Sequence, residues 1–248
     1  MAYTATSLTD LQAFMATRWD ASVFWTAEEA RLALNEALRD WNLLTGRWRT
    51  RVTLSSLAAN PEIALPASLT FGMRVRVGTA AALDPASVAD LDLGRPSWRR
   101  ETTTTGGDVP TRPIIWAPQS LTRIVIWPAT VGAGTNNVLV DGVAATPVLV
   151  RPADLVDLGD EVVDVIADYA VHIVAFKEGG PRWKATQGFF TAFLQAAALE
   201  NTLLKRKQAY RRIAGLDRRR DLQPTKSGQT QLDSVIQNLP SLSGGGGG

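Results

Sequence analysis

From Val162 to Phe176 the sequence places apolar side chains around almost the whole circumference of a helix: Val162, Val163, Val165, Ile166, Tyr169, Ala170, Ile173, Val174 and Phe176. A surface helix confines its apolar residues to one stripe, so this one has to be buried on several sides. The rest of the chain, or further copies of it, must pack around it. The segment is no membrane span, because Asp, Glu, Lys or Arg interrupts every apolar stretch before the roughly 18–20 residues that a bilayer requires.

Helical partners are predicted on both sides of this segment. Leu8 to Arg18 reads as a short helix. Thr26 and Glu29 have the spacing of a capping box, in which hydroxyl and carboxylate satisfy each other's free backbone donors. Ala30, Leu34, Ala37, Trp41 and Leu44 then follow in steps of four and three, one apolar face that ends at Gly46. After Phe176, Gly179, Gly180 and Pro181 make a sharp break. A long helix is expected from near Lys184, with Phe189, Phe190, Phe193, Leu194, Ala197, Leu203 and Leu204 as its apolar positions. The predicted helices are 26–45, 160–178 and 184–216.

Between the first and second of these the period changes from helical to alternating. Trp48, Val52 and Leu54 intersperse with Arg49, Arg51 and Thr53, and Met73, Val75 and Val77 with Arg74 and Arg76, which predicts strands with one wet face. Pro61 to Leu69 reads as a loop. Pro85 to Leu91 reads as a short helix capped by Asp84. Arg99 to Pro113, rich in Thr and Gly, reads as an exposed loop or hairpin arm, with Gly106 and Gly107 as turn residues. Further strand-like runs are Ile114 to Trp116, Leu121 to Trp127, and Val138 to Val140 continuing toward Val148 to Val150. Turns are expected at Pro118, at Pro128 to Asn137, where Gly132 and Gly134 lie, and at Asp141-Gly142. The fold class is therefore α+β: a helical bundle with a small antiparallel sheet or sandwich inserted at about 47–150. Residues 1–220 are expected to form the body, and 221–248 an extended polar and glycine-rich tail.

Much catalytic chemistry is closed to such a chain. Without cysteine there is no disulfide, thiolate metal site or cysteine nucleophile, and His172 is the sole histidine. In the middle of the most apolar segment, His172 reads as a packed residue with one hydrogen bond. Asp157, Asp160, Glu161, Asp164 and Asp168 suit the dipole at a helix start or a solvated face, and lack the oxygen spacing and glycine of a calcium loop. No phosphate-loop or nucleophile-elbow motif is present. No catalytic, metal or cofactor site is expected. Trp98 and Trp116, flanking the Thr/Gly loop, are candidate contact residues, against the commoner role of tryptophan in a core.

Charge is divided unevenly. Residues 201–220 hold eight bases (Lys205, Arg206, Lys207, Arg211, Arg212, Arg218, Arg219 and Arg220) and one acid, Asp217, a local charge of +7 in a chain whose net charge is +2. The remainder is acidic. The cluster suits the negative end of a helix dipole, and it also suits docking on an acidic partner or binding nucleic acid. Only Tyr210 accompanies it as a stacking aromatic. Beyond it, the patch Leu232, Val235, Ile236 and Leu239 sits in a Thr, Ser, Gln and Gly tail that cannot fold alone and is expected to order on a partner. These bases and apolar residues together form the candidate partner-docking set.

The order of the parts resembles a known family. The helix "EEARLALNEALRDWNLLTGRW", a β region containing "ALPASL", the strand pair "RPIIWAPQSLTRIVIWPA", the turn "RPADLVDLGDE" and the helices "VVDVIADYAVHIVAFKEGGPRWKATQGFFTAFLQ" look like the head-to-tail adaptors of tailed bacteriophages. The likeness covers roughly residues 25 to 205. The resemblance implies a non-enzymatic virion protein of the neck, assembled in the host cytoplasm, in a homo-oligomeric ring commonly of twelve subunits. Its partners would be the portal protein, the tail or nozzle proteins, and the packaged DNA that passes through the bore without sequence specificity. A nucleic-acid-binding module using residues 205–220 is the alternative, and a carboxylate-dependent hydrolase a third reading. The start, Met1 to Asp10, has neither the basic flank nor the apolar block of a signal peptide, which fits use in a cytoplasm.

Overall fold

The computed structural model describes residues 5–18, 25–80 and 82–213, apart from the side chains of residues 135, 136, 160 and 204–213. In chain order its elements are β1 (Ala5–Ser7), α1 (Leu8–Arg18), α2 (Ala27–Thr45), β2 (Arg49–Ser56), β3 (Glu62–Ala64), β4 (Leu69–Val77), β5 (Asp84–Pro85) and α3 (Val88–Gly94). A 3-10 turn (Trp98–Arg100) precedes β6 (Ile115–Ser120), β7 (Arg123–Trp127), β8 (Gly134–Ala144), β9 (Leu155–Asp157), α4 (Asp160–Glu178), α5 (Gly180–Ala185) and α6 (Gln187–Ile213). The chain divides after Asn201 into two units; the helices and sheets form the first, and the second carries the continuation of α6.

The apolar segment of the sequence is α4, and it is buried on several sides as expected. Val163, Ile166, Ala167, Ala170, Val171 and Val174 pack with Leu8, Leu11 and Met15 of α1, with Leu34, Leu38 and Trp41 of α2, and with Phe193 and Ala197 of α6. Each large side chain fully withdrawn from water contributes on the order of 1.5–3 kcal/mol, so this cluster is the main source of cohesion in the bundle. Phe176 is the exception. At 71% exposed it lies past the end of the packed region.

Helix α2 starts where the capping box predicts: Glu29 N donates to Thr26 Oγ1 at 3.2 Å and Thr26 N to Glu29 Oε2 at 2.8 Å. It stops at Gly46, whose φ of 61° is left-handed and natural to glycine. Its buried side turns from the bundle toward the sheets in the last turns. Asn42 and Thr45 become buried there, while Leu44, expected on the apolar face, stays 44% exposed. Asn42 ties the junction: its Nδ2 donates to Ala144 O at 2.9 Å and Thr146 Oγ1 at 3.0 Å, and its Oδ1 accepts from Trp48 N at 3.0 Å. Earlier on the same helix, Asn35 exchanges two hydrogen bonds with the backbone of Leu149, at 2.8 and 2.9 Å.

The inserted region is a sandwich, so the fold is α+β as the sequence implies. One sheet has the order β2-β8-β4, antiparallel throughout; the other has the order β3-β7-β6-β5, antiparallel except for the two-residue β5-β6 pair. Ile63, Val75, Trp116, Ile124, Ile126, Val138 and Val140 fill the space between them. The outer face of the second sheet, Ala117, Val125 and Trp127, is covered by Leu91 of α3 and by Trp98. A separate pair, β1-β9, closes the chain beside the bundle.

Several local expectations are corrected. Asp141-Gly142 is not a hairpin turn but the middle of β8, paired on both sides. Its glycine answers a different need, because a Cβ there would stand 2.2 Å from Phe71 O. Met73 does not share a face with Val75: the register shift between Gly72 and Arg74 makes it the extra residue of a bulge, 47% exposed. Pro61 to Leu69 contains β3, too short to show a period. Asp84 belongs to β5, and α3 is capped by Ser87 in a capping box with Asp90, whose reciprocal hydrogen bonds Asp84 cannot make at that distance along the chain. Pro118 lies within β6 rather than at a turn, beyond the reach of the short β5, so its missing N–H removes no ladder bond on that side. Val148 to Val150 is not a strand, since Asn35 holds its backbone to α2. Lys184 falls in α5, and the long helix begins at Gln187.

Candidate docking surface

The geometry of the bundle's outer edge is set by the break after α4. Gly179 and Gly180 have φ of 67° and 56°, left-handed values that a side chain adopts only with strain. They let α5 turn away and α6 run back along α4, so that aromatic side chains from the two helices meet. Tyr169 stacks on Phe193 with centroids 4.0 Å apart, and His172 lies between Phe190 at 5.6 Å and Trp183 at 5.8 Å. The Nδ1 of His172 is 2.9 Å from Thr186 Oγ1, and that hydroxyl donates to Trp183 O. The packed histidine with one side-chain hydrogen bond is thus what the structure holds. Burial pushes its pKa below the ordinary value.

Among its described side chains, helix α6 fully buries a narrow stripe, Phe193 and Ala197, against the bundle, with Phe189 and Ala196 partly buried beside it. At 100° per residue, Phe190 and Leu194 stand on one flank of that stripe and Ala192 and Leu199 on the opposite flank. Phe190 is 39%, Leu194 42% and Leu199 60% exposed. One helix therefore presents two apolar flanks that face different directions.

The predicted docking residues divide in two. Lys205, Arg206, Lys207, Arg211 and Arg212 are carried on α6, whose backbone is helical to Ile213, and their side chains lie outside the described ones. Arg218, Arg219, Arg220, Leu232, Val235, Ile236 and Leu239 lie outside the described residues. Trp98 and Trp116 do not face a partner. They are buried, at 1% and 5% exposure, Trp98 donating its ring N–H to Asp92 Oδ1 at 2.8 Å and Trp116 packing between the sheets. The acidic run around the start of α4 is partly answered by Arg18, which pairs with Asp164 at 2.6 Å and Asp168 at 3.0 Å. Among the described residues no group of three or more metal-ligating side chains converges, and no helix is long and apolar enough to cross a membrane.

A model of the SU10 adaptor protein family matches residues 6–222, which takes in the bundle, the sandwich and the basic segment. The chain belongs to the SU10 adaptor protein family. It is a structural adaptor of phage type, as the resemblance to head-to-tail adaptors implies, and membership of a structural family implies a non-enzymatic role. No curated protein matches the chain. Within this adaptor, the residues that sequence reasoning missed are two asparagines of α2, Asn42 buried and Asn35 partly so. Asn35 and Asn42 are seven apart, hence on one side of α2, and a polar pair repeated on a half-apolar helix was the available signal. The arginines Arg49, Arg51, Arg74 and Arg76 were legible only as the wet side of strands.

Proposed function

We propose that this adaptor assembles side by side into a homo-oligomeric ring of twelve copies in the virion neck, between capsid and tail, where it docks onto the portal, continues the DNA channel and receives the tail or nozzle proteins. The observation that carries the reading is the pair of apolar flanks on α6. A closed ring needs two different, mutually complementary surfaces on each subunit, whereas a two-fold dimer needs only one. Phe190 and Leu194 supply one such surface and Leu199 with Ala192 the other. The body 1–220 forms the ring, and the tail 221–248 reaches the portal.

Docking on the portal falls to the segment from Lys205 to Pro240. Its bases steer the encounter with an acidic surface, and Leu232, Val235, Ile236 and Leu239 bury apolar area at about 1.5–3 kcal/mol each, enough to offset part of the cost of ordering the tail. Electron microscopy of portal mixed with the full chain tests the proposal: an added ring of density beneath the portal is expected. Absence of that ring, or normal rings from a folded Leu194→Glu/Leu199→Glu variant, would overturn it.

A further inference from the structure

Among the described residues, one long strand edge of the sandwich is left unpaired. Strand β2 is an outer strand of the β2-β8-β4 sheet. Ala144 N donates to Trp48 O, so these two residues form a hydrogen-bonded pair, and such pairs alternate with open ones along an antiparallel ladder. In the register that sets Arg49 opposite Val143 and Thr53 opposite Leu139, it is Thr50, Val52 and Leu54 that bond β8. The backbone N–H and C=O groups of Arg49, Arg51 and Thr53 point away from β8, and no described residue bonds them.

The opposite edge of the sheet obeys the same alternation but is closed. Val75 and Val77 point away from β8 there, and their carbonyls accept from Leu83 N at 2.9 Å and Ala80 N at 3.3 Å. The outer strands of the other sheet, β3 and β5, are only three and two residues long. Covered or very short edges protect a sheet against pairing with another chain, whereas β2 runs straight from Arg49 to Leu54 with neither proline nor bulge. Its core-facing Val52 and Leu54 stay partly exposed, while Val75 on the closed side is fully buried. The hydrogen-bond ladder and the apolar layer are thus incomplete at the same strand.

We infer that the β2 edge receives an extended segment of a partner protein as a further strand, apolar at alternate positions and acidic at those between. The backbone groups of Arg49, Arg51 and Thr53 hold the segment, and alternate side chains select it. Residues opposite one another in a ladder project to the same face. Positions opposite Val52 and Leu54 therefore face the core and are apolar. Positions opposite Arg49 and Arg51 face outward. Acidic side chains suit them, because Arg49 is bonded to the neutral Gly46 O and, among the described residues, is in no ion pair. A second copy fits less well, since two β2 edges brought together would set arginine beside arginine. The inference concerns the sandwich alone and holds whether or not the chain docks on a portal.

The test uses the full-length chain and a short labelled peptide of alternating glutamate and valine, read by fluorescence anisotropy and amide hydrogen exchange. Saturable binding that protects the amides of Arg49, Arg51 and Thr53 is expected, and binding without that protection, or no binding, would overturn the inference. Thr53→Pro removes an outward donor and no bond to β8, the place where an edge strand tolerates proline. It should weaken binding about tenfold or more, the scale of a lost hydrogen bond in a blocked strand. A folded Thr53→Pro chain that binds like the parent would contradict strand addition. So would equal binding of the peptide methylated at its glutamate nitrogens, which face β2 in the added strand, and this arm decides alone if Thr53→Pro does not fold. Self-association of the parent that Thr53→Pro abolishes would assign the edge to a second copy instead. Protection already present in the chain alone, and lost on removing residues 221–248, would assign it to the chain's own tail. Either result rules out the partner.

Discussion

Tyr169 on α4 donates its phenolic hydrogen to Asp40 Oδ2 on α2 across 2.9 Å. Burial, and then that hydrogen bond to a carboxylate, push the phenol's pKa up to about 12, so it remains a donor throughout the physiological range. The same ring lies against Phe193 of α6, so one side chain ties three helices. Tyr169→Phe keeps the stacking and removes only the hydroxyl. It should lower stability by about 1.5–3 kcal/mol, the scale of one hydrogen bond to a charged acceptor, in urea denaturation followed by circular dichroism.

His172 gives the bundle a pH response. Burial lowers its folded-state pKa below that of the unfolded chain, so between the two values the unfolded state binds more protons and stability rises with pH. The contribution is fully present above the ordinary histidine value near 6.5 and is lost as the pH falls through that value toward the lower folded one. The melting temperature should therefore decline on acidification from neutrality toward pH 5, before the exposed carboxylates titrate. His172→Gln should flatten that decline, cost about 1–2 kcal/mol at neutral pH through the disturbed bond to Thr186, and leave assembly intact. A folded His172→Gln chain that lost an enzymatic step would contradict the non-catalytic role.

Gly142 should tolerate no side chain. A methyl group there meets Phe71 O at 2.2 Å, a clash with backbone that only a shift of β4 relieves. Gly142→Ala should cost about 1–3 kcal/mol, the usual range for overpacking, whereas Gly94→Ala, with open space around its Cβ position, should change little. Parallel thermal melts of the two variants make the comparison.

Removing residues 221–248 should leave the melting of the body unchanged and weaken its binding to portal. Reversing Arg218, Arg219 and Arg220 to Glu should slow association most at low salt, since exposed charges are screened beyond a Debye length, about 8 Å at physiological ionic strength and longer in dilute salt. Surface plasmon resonance on immobilised portal separates the two effects into dissociation and association rates. A truncated chain that binds as tightly as the full one would reassign the tail as a passive linker.

The sequence by itself determined the helices, the sandwich between them and the class of protein. The capping box at Thr26 and Glu29, the stop at Gly46, the all-round apolar run of α4 and the Gly179-Gly180 break are local signals, because each depends on backbone donors and side-chain spacing within a few residues. Tertiary structure decided what depends on neighbours distant in the chain. Asp141-Gly142 has the composition of a hairpin, yet strands on both sides claim its backbone groups and the glycine serves the close approach of β4. Trp98 and Trp116 could have faced a partner or a core, and the packing of two sheets and α3 chose the core. The arginines of β2 and β4 alternate in sequence as any wet face does. They become one patch only because β8 inserts between the two strands in the register that puts Asp141 opposite both Arg51 and Arg74.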